Sequence, residues 1–358
     1  MLVWKASSVR SLSIPLRCIF GRQNSTNSSI YAPKRRPSFV IYGVLGGGAV
    51  ATAYFFWPDI SRSAPTYSNA LLSPVHFIPV TVSSTVACAD PNSRLITLTV
   101  PPQCLPSRDE SAVGPVWSIF IKDDDIQVER PYTPLEGIDK EGRMKFWIKK
   151  YPKGEVGRWV HSKNVGDKIE IRGPLVTWKW QENVWDEVVM ISGGTGITPF
   201  CQLLYNTVLQ NPSNPRRTRF TLLHGSYTPA ELPPPAMLEP LLSTAQTHPD
   251  RFKMSLFVNS LDGPSHPSLS SSAFQVGRID RGAIEHALGI DNGFTVWWKA
   301  LLRMKTPADR TKKTLFLVCG PESMINSIAG PFGRNFSQGS IGGVLQTMGY
   351  GSHEVWKL

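Results

Sequence analysis

The chain has 358 residues, 41% hydrophobic, 10% aromatic and 18% charged, which gives room for about two globular domains and excludes a disordered, collagen-like or wholly membrane-embedded protein. Its net charge of +11 is uneven: residues 1–58 carry seven Lys and Arg and no Asp or Glu, leaving +4 for the remainder, so a nucleic-acid-binding body is not expected. Five scattered cysteines without a C-x-x-C pair argue against a disulfide framework or a structural zinc, and no metal site is expected.

Residues 1–37 are rich in Arg and Ser and free of acids, with Leu2, Leu12, Leu16 and Ile19 alternating with Arg10, Arg17 and Arg22. This is the composition of a mitochondrial presequence; a basic tail without structure is the alternative. Ser38 to Trp57 follow as twenty uncharged residues between Lys34-Arg35-Arg36 and Pro58-Asp59. As a helix they reach about 30 Å, the thickness of a hydrocarbon core. Tyr42, Tyr54 and Trp57 stand where interfacial aromatics belong, and Gly43 and Gly47 form a small-residue face. The alternative, a buried soluble helix, is opposed by Gly46-Gly47-Gly48, each about 1 kcal/mol worse than Ala in a helix interior. A single transmembrane helix is therefore expected, with the basic N-terminus in the matrix, the soluble part facing the intermembrane space, and residues 58–75 as a polar linker.

From residue 76 to 182 short apolar runs alternate: Phe77 to Val82, Leu95 to Val100, Val116 to Ile121, Met144 to Ile148 and Ile169 to Ile171. Close spacing and turn signals between them predict an antiparallel β-barrel or sandwich. From 183 to 358 the rhythm changes. A buried run, Val188 to Ile191, leads through a glycine turn into a helix with Ile197, Cys201, Leu204 and Val208 on one stripe; strands follow at Arg219 to His224, Phe252 to Val258 and Thr314 to Val318. That cadence predicts a parallel, doubly wound α/β sheet.

Three motifs carry chemistry. In Arg130-Pro131-Tyr132-Thr133-Pro134, placed on a strand, residues two apart share a face, so Arg130 and Tyr132 project together. The guanidinium suits a pyrophosphate and the phenol a flat ring, although an edge strand ending at a proline turn reads the same way. Gly193-Gly194-Thr195-Gly196-Ile197-Thr198-Pro199 joins strand to helix, where glycines admit close backbone approach to phosphate; a purely structural turn is the alternative. Cys319-Gly320-Pro321-Glu322-Ser323-Met324 repeats the strand-to-helix arrangement. Ligands of open α/β sheets bind outside such strand ends, so both glycine turns are expected at one crevice. A cysteine there lies beside a reacting ring or is simply a small apolar residue.

In this order over residues 76–358, RPYTP, GGTGITPF and CGPESM resemble the ferredoxin-NADP reductase superfamily, and within it the NADH-cytochrome b5 reductases. The resemblance implies an FAD-binding β-barrel followed by a nicotinamide-binding α/β domain. It implies that Arg130 holds the flavin pyrophosphate with Pro131 beside it, Tyr132 packs on the flavin ring, Thr133 bonds near its reactive nitrogen, and Ile148 and Lys149 lie on the next flavin-lining strand. Gly157-Arg158-Trp159-Val160 resembles the second flavin signature, with Val160 where a hydroxyl residue is usual; taken alone, the tetrad is equally a Trp packed under a helix turn. Gly193, Gly194, Thr195, Gly196 and Thr198 match the dinucleotide loop, and Cys319, Gly320, Pro321 and Met324 the nicotinamide side, with Thr133 and Cys319 at the reacting atoms. The chain ends Glu354-Val355-Trp356-Lys357-Leu358 rather than on an aromatic, with Trp356 either the replacement or a strand-core residue.

The implied chemistry is hydride transfer from NADH or NADPH to FAD, then electron delivery to a haem or haem-protein acceptor. The strand ending Leu223-His224-Gly225-Ser226 shows no ribose-binding acid, so the residues leave the two nucleotides open while the resemblance favours NADH. A second resemblance, to fungal inner-membrane flavoproteins that support haem attachment to cytochrome c, places the acceptor in the cytochrome c rather than the cytochrome b5 pathway. A reading from another class is a degenerate flavoprotein that serves as a binding or assembly scaffold.

Overall fold

A computed structural model describes residues 64–105, 114–123, 127–181, 183–210, 218–290 and 312–358. The presequence and the span at 38–57 lie outside these residues. Among the described residues no helix is long and apolar enough to cross a membrane.

Six strands form the first sheet: β1 (Ile78–Ala87), β2 (Ser93–Thr99), β3 (Val116–Lys122), β4 (Glu129–Tyr132), β5 (Arg143–Lys149) and β6 (Lys168–Trp178). Their order is β4-β3-β6-β1-β2-β5 and every pairing is antiparallel. Alternate residues point inward: Ile78, Val80 and Val82 of β1, Ile96 and Leu98 of β2, and Met144, Phe146 and Ile148 of β5 meet in one core. Helix α1 (Glu155–Ser162) closes it with Val156, Trp159 and Val160. The expected barrel is thus a sheet curled around a shared core, with no ladder joining β4 to β5 among the described residues. β4 has four residues, and Pro131 within it lacks an N–H, the composition of an edge strand.

Residues 64–75, expected as linker, are laid against this sheet. Leu72 enters the core, its N–H donates to the Cys104 carbonyl at 2.7 Å, and Gly173 N–H donates to Ser73 O at 2.9 Å. The apolar Leu72 is the physical reason: burying a leucine side chain is worth about 2 kcal/mol, which a free linker forfeits.

The second sheet comprises β7 (Glu187–Gly193), β8 (Arg219–Ser226), β9 (Phe252–Val258), β10 (Gln275–Val276), β11 (Thr314–Cys319) and β12 (Val355–Lys357), ordered β10-β9-β8-β7-β11-β12 and parallel throughout. Helices cover both faces. On one side α2 (Thr198–Leu204) and α3 (Pro235–Thr247) pack on Val188, Met190, Leu222 and Leu317; on the other α4 (Arg281–Ala287), α5 (Glu322–Ala329) and α6 (Gly343–Thr347) pack on Val189, Ile191, Phe316 and Val318. Burial on both faces explains why β7 reads as a continuous apolar run rather than an alternation. The chain leaves β7 towards β8 on one side and returns to β11 on the other, so the switch of direction falls between the carboxyl ends of β7 and β11.

The seam between the halves is apolar. Val116, Leu135, Trp147 and Trp178 of the first join Phe200, Phe220 and Met237 of the second in one cluster. The backbone N–H of Trp117 donates to Gln202 Oε1 at 2.8 Å, fixing α2 on β3.

Candidate functional site

A cleft of about 640 Å³ opens where the curled sheet is unclosed, and it brings most of the motif residues together. Arg130, Pro131, Tyr132 and Thr133 form one wall; Phe146, Ile148 and Lys149 of β5 form the facing one; Thr195, Gly196 and Thr198 with Cys319, Gly320 and Pro321 close it from the second sheet. Ladder pairing sets β4 in place, with Arg130 opposite Ile121 and Tyr132 opposite Ile119. Tyr132 also packs on the barrel core, and burial pushes its phenol up to about 12, so it is neutral at physiological pH.

The two glycine turns touch backbone to backbone. A Cβ on Gly193 would meet Met324 Sδ at 2.8 Å and the Pro321 ring at 2.9 Å; one on Gly320 would meet Gly193 N at 2.9 Å. Gly193 also lines the cleft, whereas Met324 sits behind the glycines as their packing partner. Gly194 differs again: its φ of +53° lies in the left-handed region that favours glycine, while nothing approaches within 4 Å. Cys319 is open to the cleft yet enclosed by protein, and burial pushes its thiol up to about 12. It is a neutral thiol at physiological pH, not a nucleophile.

Part of the second flavin signature falls elsewhere than expected. Gly157 lines the cleft, but Trp159 and Val160 point into the barrel core and the Arg158 guanidinium turns back to accept no cleft position, donating instead to Gly154 O at 3.1 Å. The cleft is met one helical turn earlier, by Gly154, Val156 and Gly157. The cleft meets only the start of α1: residues three or four apart share a helix face, so a tetrad taken three residues late keeps a glycine at its head but runs one turn past the cleft, where Trp159 and Val160 are packed in the core. Val160 is therefore not a lost phosphate donor.

Other lining residues were missed. Leu358 reaches the cleft because its N–H donates to Val318 O at 2.9 Å, continuing β12 along β11, whereas Trp356 is 37% exposed and lies outside it. Period two puts Trp356 and Leu358 on one face of an extended strand, so alternation does not tell them apart. Ser118, Tyr151 and Thr177 also line the cleft; no local motif marks them.

Lys149 is held by Asp90 of its own half at 3.0 Å and, across the seam, by Glu231 at 2.5 Å. Burial works against its charge, but hydrogen bonds to Glu231 and Asp90 outweigh that and hold its pKa above the usual lysine value. His161 on α1 meets the carbonyl of Ile148 through Nε2 at 3.0 Å, and burial lowers its pKa, so the neutral ring donates this bond and fixes the flanking strand.

The arrangement fits two dinucleotides. A guanidinium and a neutral phenol stand on an apolar-walled cleft, and glycine turns at two strand ends leave backbone exposed to it. Comparison with known proteins agrees. Residues 106–180 match the oxidoreductase FAD-binding domain and residues 190–330 the oxidoreductase NAD-binding domain. NADH-cytochrome b5 reductase 2 of Meyerozyma guilliermondii is 29% identical over 231 residues, 64% of this chain and 68% of that protein. Its namesake in Scheffersomyces stipitis is 28% identical over 258 residues, 71% and 76%. The cytochrome b5 reductase domain of Ulva prolifera nitrate reductase shares the fold, with a TM-score of 0.56 at 21% identity over 81% of this chain and all of that one. The chain belongs to the ferredoxin-NADP reductase superfamily, as an NADH-cytochrome b5 reductase-like enzyme that uses FAD and a nicotinamide dinucleotide.

Proposed function

We propose that this reductase is anchored by residues 38–57 in the mitochondrial inner membrane, with its body in the intermembrane space, and delivers electrons to a haem or haem protein. The acid-free arm and the uncharged segment after it support the address and anchor. The names of the relatives support a cytochrome b5 acceptor, and the proposed location supports the cytochrome c haem-attachment pathway. Both are haem iron reached by single electrons.

The observation that carries the reading is the convergence of Arg130 and Tyr132 with both glycine turns on one cleft. FAD, when bound, accepts hydride from a nicotinamide and passes electrons on singly. Arg130 offers a planar fork of donors to the pyrophosphate, Tyr132 packs against the flavin ring, and the Thr133 hydroxyl serves its reactive edge. The glycine turns hold the nicotinamide dinucleotide, and neutral Cys319 fills space beside the ring without trading a proton. Apolar Phe146 and Ile148 keep water from the reacting faces.

Anaerobic titration of the detergent-solubilised full chain with NADH and, separately, NADPH tests this by flavin absorbance. Stoichiometric bleaching is expected, followed by reoxidation with cytochrome b5, cytochrome c or free haem. A yellow protein that neither nucleotide reduces supports the scaffold reading instead. Resistance to carbonate extraction, with protease sensitivity only after rupture of the outer membrane, tests the anchor and its orientation.

A further inference from the structure

The charge cluster at the seam has two carboxylates for one ammonium, and they are not equivalent. Asp90 lies in the β1–β2 hairpin with its side chain 6% exposed, and its other carboxylate oxygen accepts from Asn92 N–H at 2.9 Å. Glu231 lies on the turn Pro229–Glu231 after β8 with its side chain 30% exposed. The turn is fixed through its backbone, since Glu231 O accepts from Ser226 Oγ at 3.1 Å. The carboxylate can therefore leave Lys149 for water without disturbing the turn, whereas Asp90 cannot. Lys149 lines the cleft at the end of β5, and β5 packs against the glycine turn Gly194–Ile197.

Resting on the reductase reading, we propose that Glu231 is a placeholder anion: it occupies the Lys149 ammonium in the free enzyme and yields it to a phosphate of the incoming nicotinamide dinucleotide. An ammonium is a point charge with three donors, suited to phosphate. Asp90 keeps one donor throughout, and the diphosphate displaces the solvent-accessible carboxylate. The exchange weakens dinucleotide binding by the strength of the Glu231–Lys149 contact and eases product departure.

The test is anaerobic flavin reduction of the full chain and its Glu231→Gln variant by two donors, NADH and the uncharged N-benzyl-1,4-dihydronicotinamide. For NADH the half-saturating concentration is expected to fall about three- to fivefold in the variant, the factor for a partly exposed ion pair. The rate with the uncharged donor is expected to stay unchanged, because it brings no phosphate to Lys149. Glu231→Asp, one methylene shorter and still charged, is expected to shift NADH binding in the same direction by less. Unchanged or weaker NADH binding in Glu231→Gln overturns the proposal, as does an equal gain for both donors. Failure of both donors to reduce the parent overturns the reductase reading instead, so the two failures are distinct.

Discussion

A Cβ on Gly196 would fall 2.5 Å from the carbonyl oxygen of Cys319. The glycine of the dinucleotide turn is thus demanded first by the second turn, and only through it by a ligand. Gly196→Ala must push the turns apart, and a shift near 1 Å at reacting atoms costs about 100-fold in rate. Loss of NADH-driven flavin bleaching by roughly 10- to 100-fold is expected, with flavin content retained because the flavin is proposed to rest on the first sheet. Gly194→Ala makes the contrast: it strains a residue at φ +53° by about 1–2 kcal/mol but meets no neighbour, so it should lower the melting temperature more than the rate. Stopped-flow absorbance and thermal melts on both variants decide this.

Val160 is 1% exposed in the barrel core. Val160→Thr should therefore leave the flavin-to-protein ratio at its parental value while lowering stability by about 1–2 kcal/mol, the cost of a hydroxyl in an apolar core. A gain in flavin content would instead return Val160 to the phosphate.

These two positions show which parts of the protein the sequence makes legible. β1, β2, β5 and the parallel core strands were readable because one-sided burial writes alternation and two-sided burial writes continuous apolar runs. RPYTP and both glycine turns were readable because their residue types are dictated by local backbone and packing needs. Val160 misled because a three-residue slip along a helix keeps the motif's outline while moving it one turn beyond the part of α1 that meets the cleft. Leu358, Ser118 and Thr177 reach the cleft only through strand pairing distant in sequence, which no local pattern records.

The chain's last residue makes a test of that distant pairing. Leu358 lines the cleft and Trp356 does not. Trp356→Ala should leave NADH half-saturation within about twofold, as surface changes usually fall within 0.5 kcal/mol. Leu358→Trp places a ring in the space the nicotinamide needs, and half-saturation should rise at least about tenfold, the factor for 1.4 kcal/mol. Equal effects of the two substitutions would contradict the placement of β12.

Cys319 has its thiol pushed up to about 12 by burial. Flavin reduction by NADH should therefore show no thiol titration between pH 6 and 9, and iodoacetamide should leave Cys319 unmodified under conditions that label an ordinary thiol of pKa about 8.5. Cys319→Ala should keep flavin and reduce it more slowly through lost packing, with an unaltered pH profile. A profile that changes shape in the variant would show that the thiol ionises in the reaction.

Acid should loosen the second sheet through His224. It is fully buried, its Nδ1 meets Ser192 Oγ at 2.8 Å and its Nε2 meets Ser226 Oγ at 3.2 Å, and burial pulls its pKa down to about 3. The unfolded chain titrates such a group near pH 6.5, so below that the unfolded state binds the extra proton. Stability is then fully present above about pH 6.5 and is lost as pH falls towards 3, at up to about 1.4 kcal/mol per pH unit, after which the loss levels off. His161 and His266, whose pKa values burial also lowers, act in the same direction. Urea midpoints at pH 7 and pH 4.5 should separate clearly in the parent, and the gap should narrow in His224→Gln, which keeps polar contact with the two serines but binds no proton. An equal gap in both proteins would mean that carboxylates, not His224, set the acid limit.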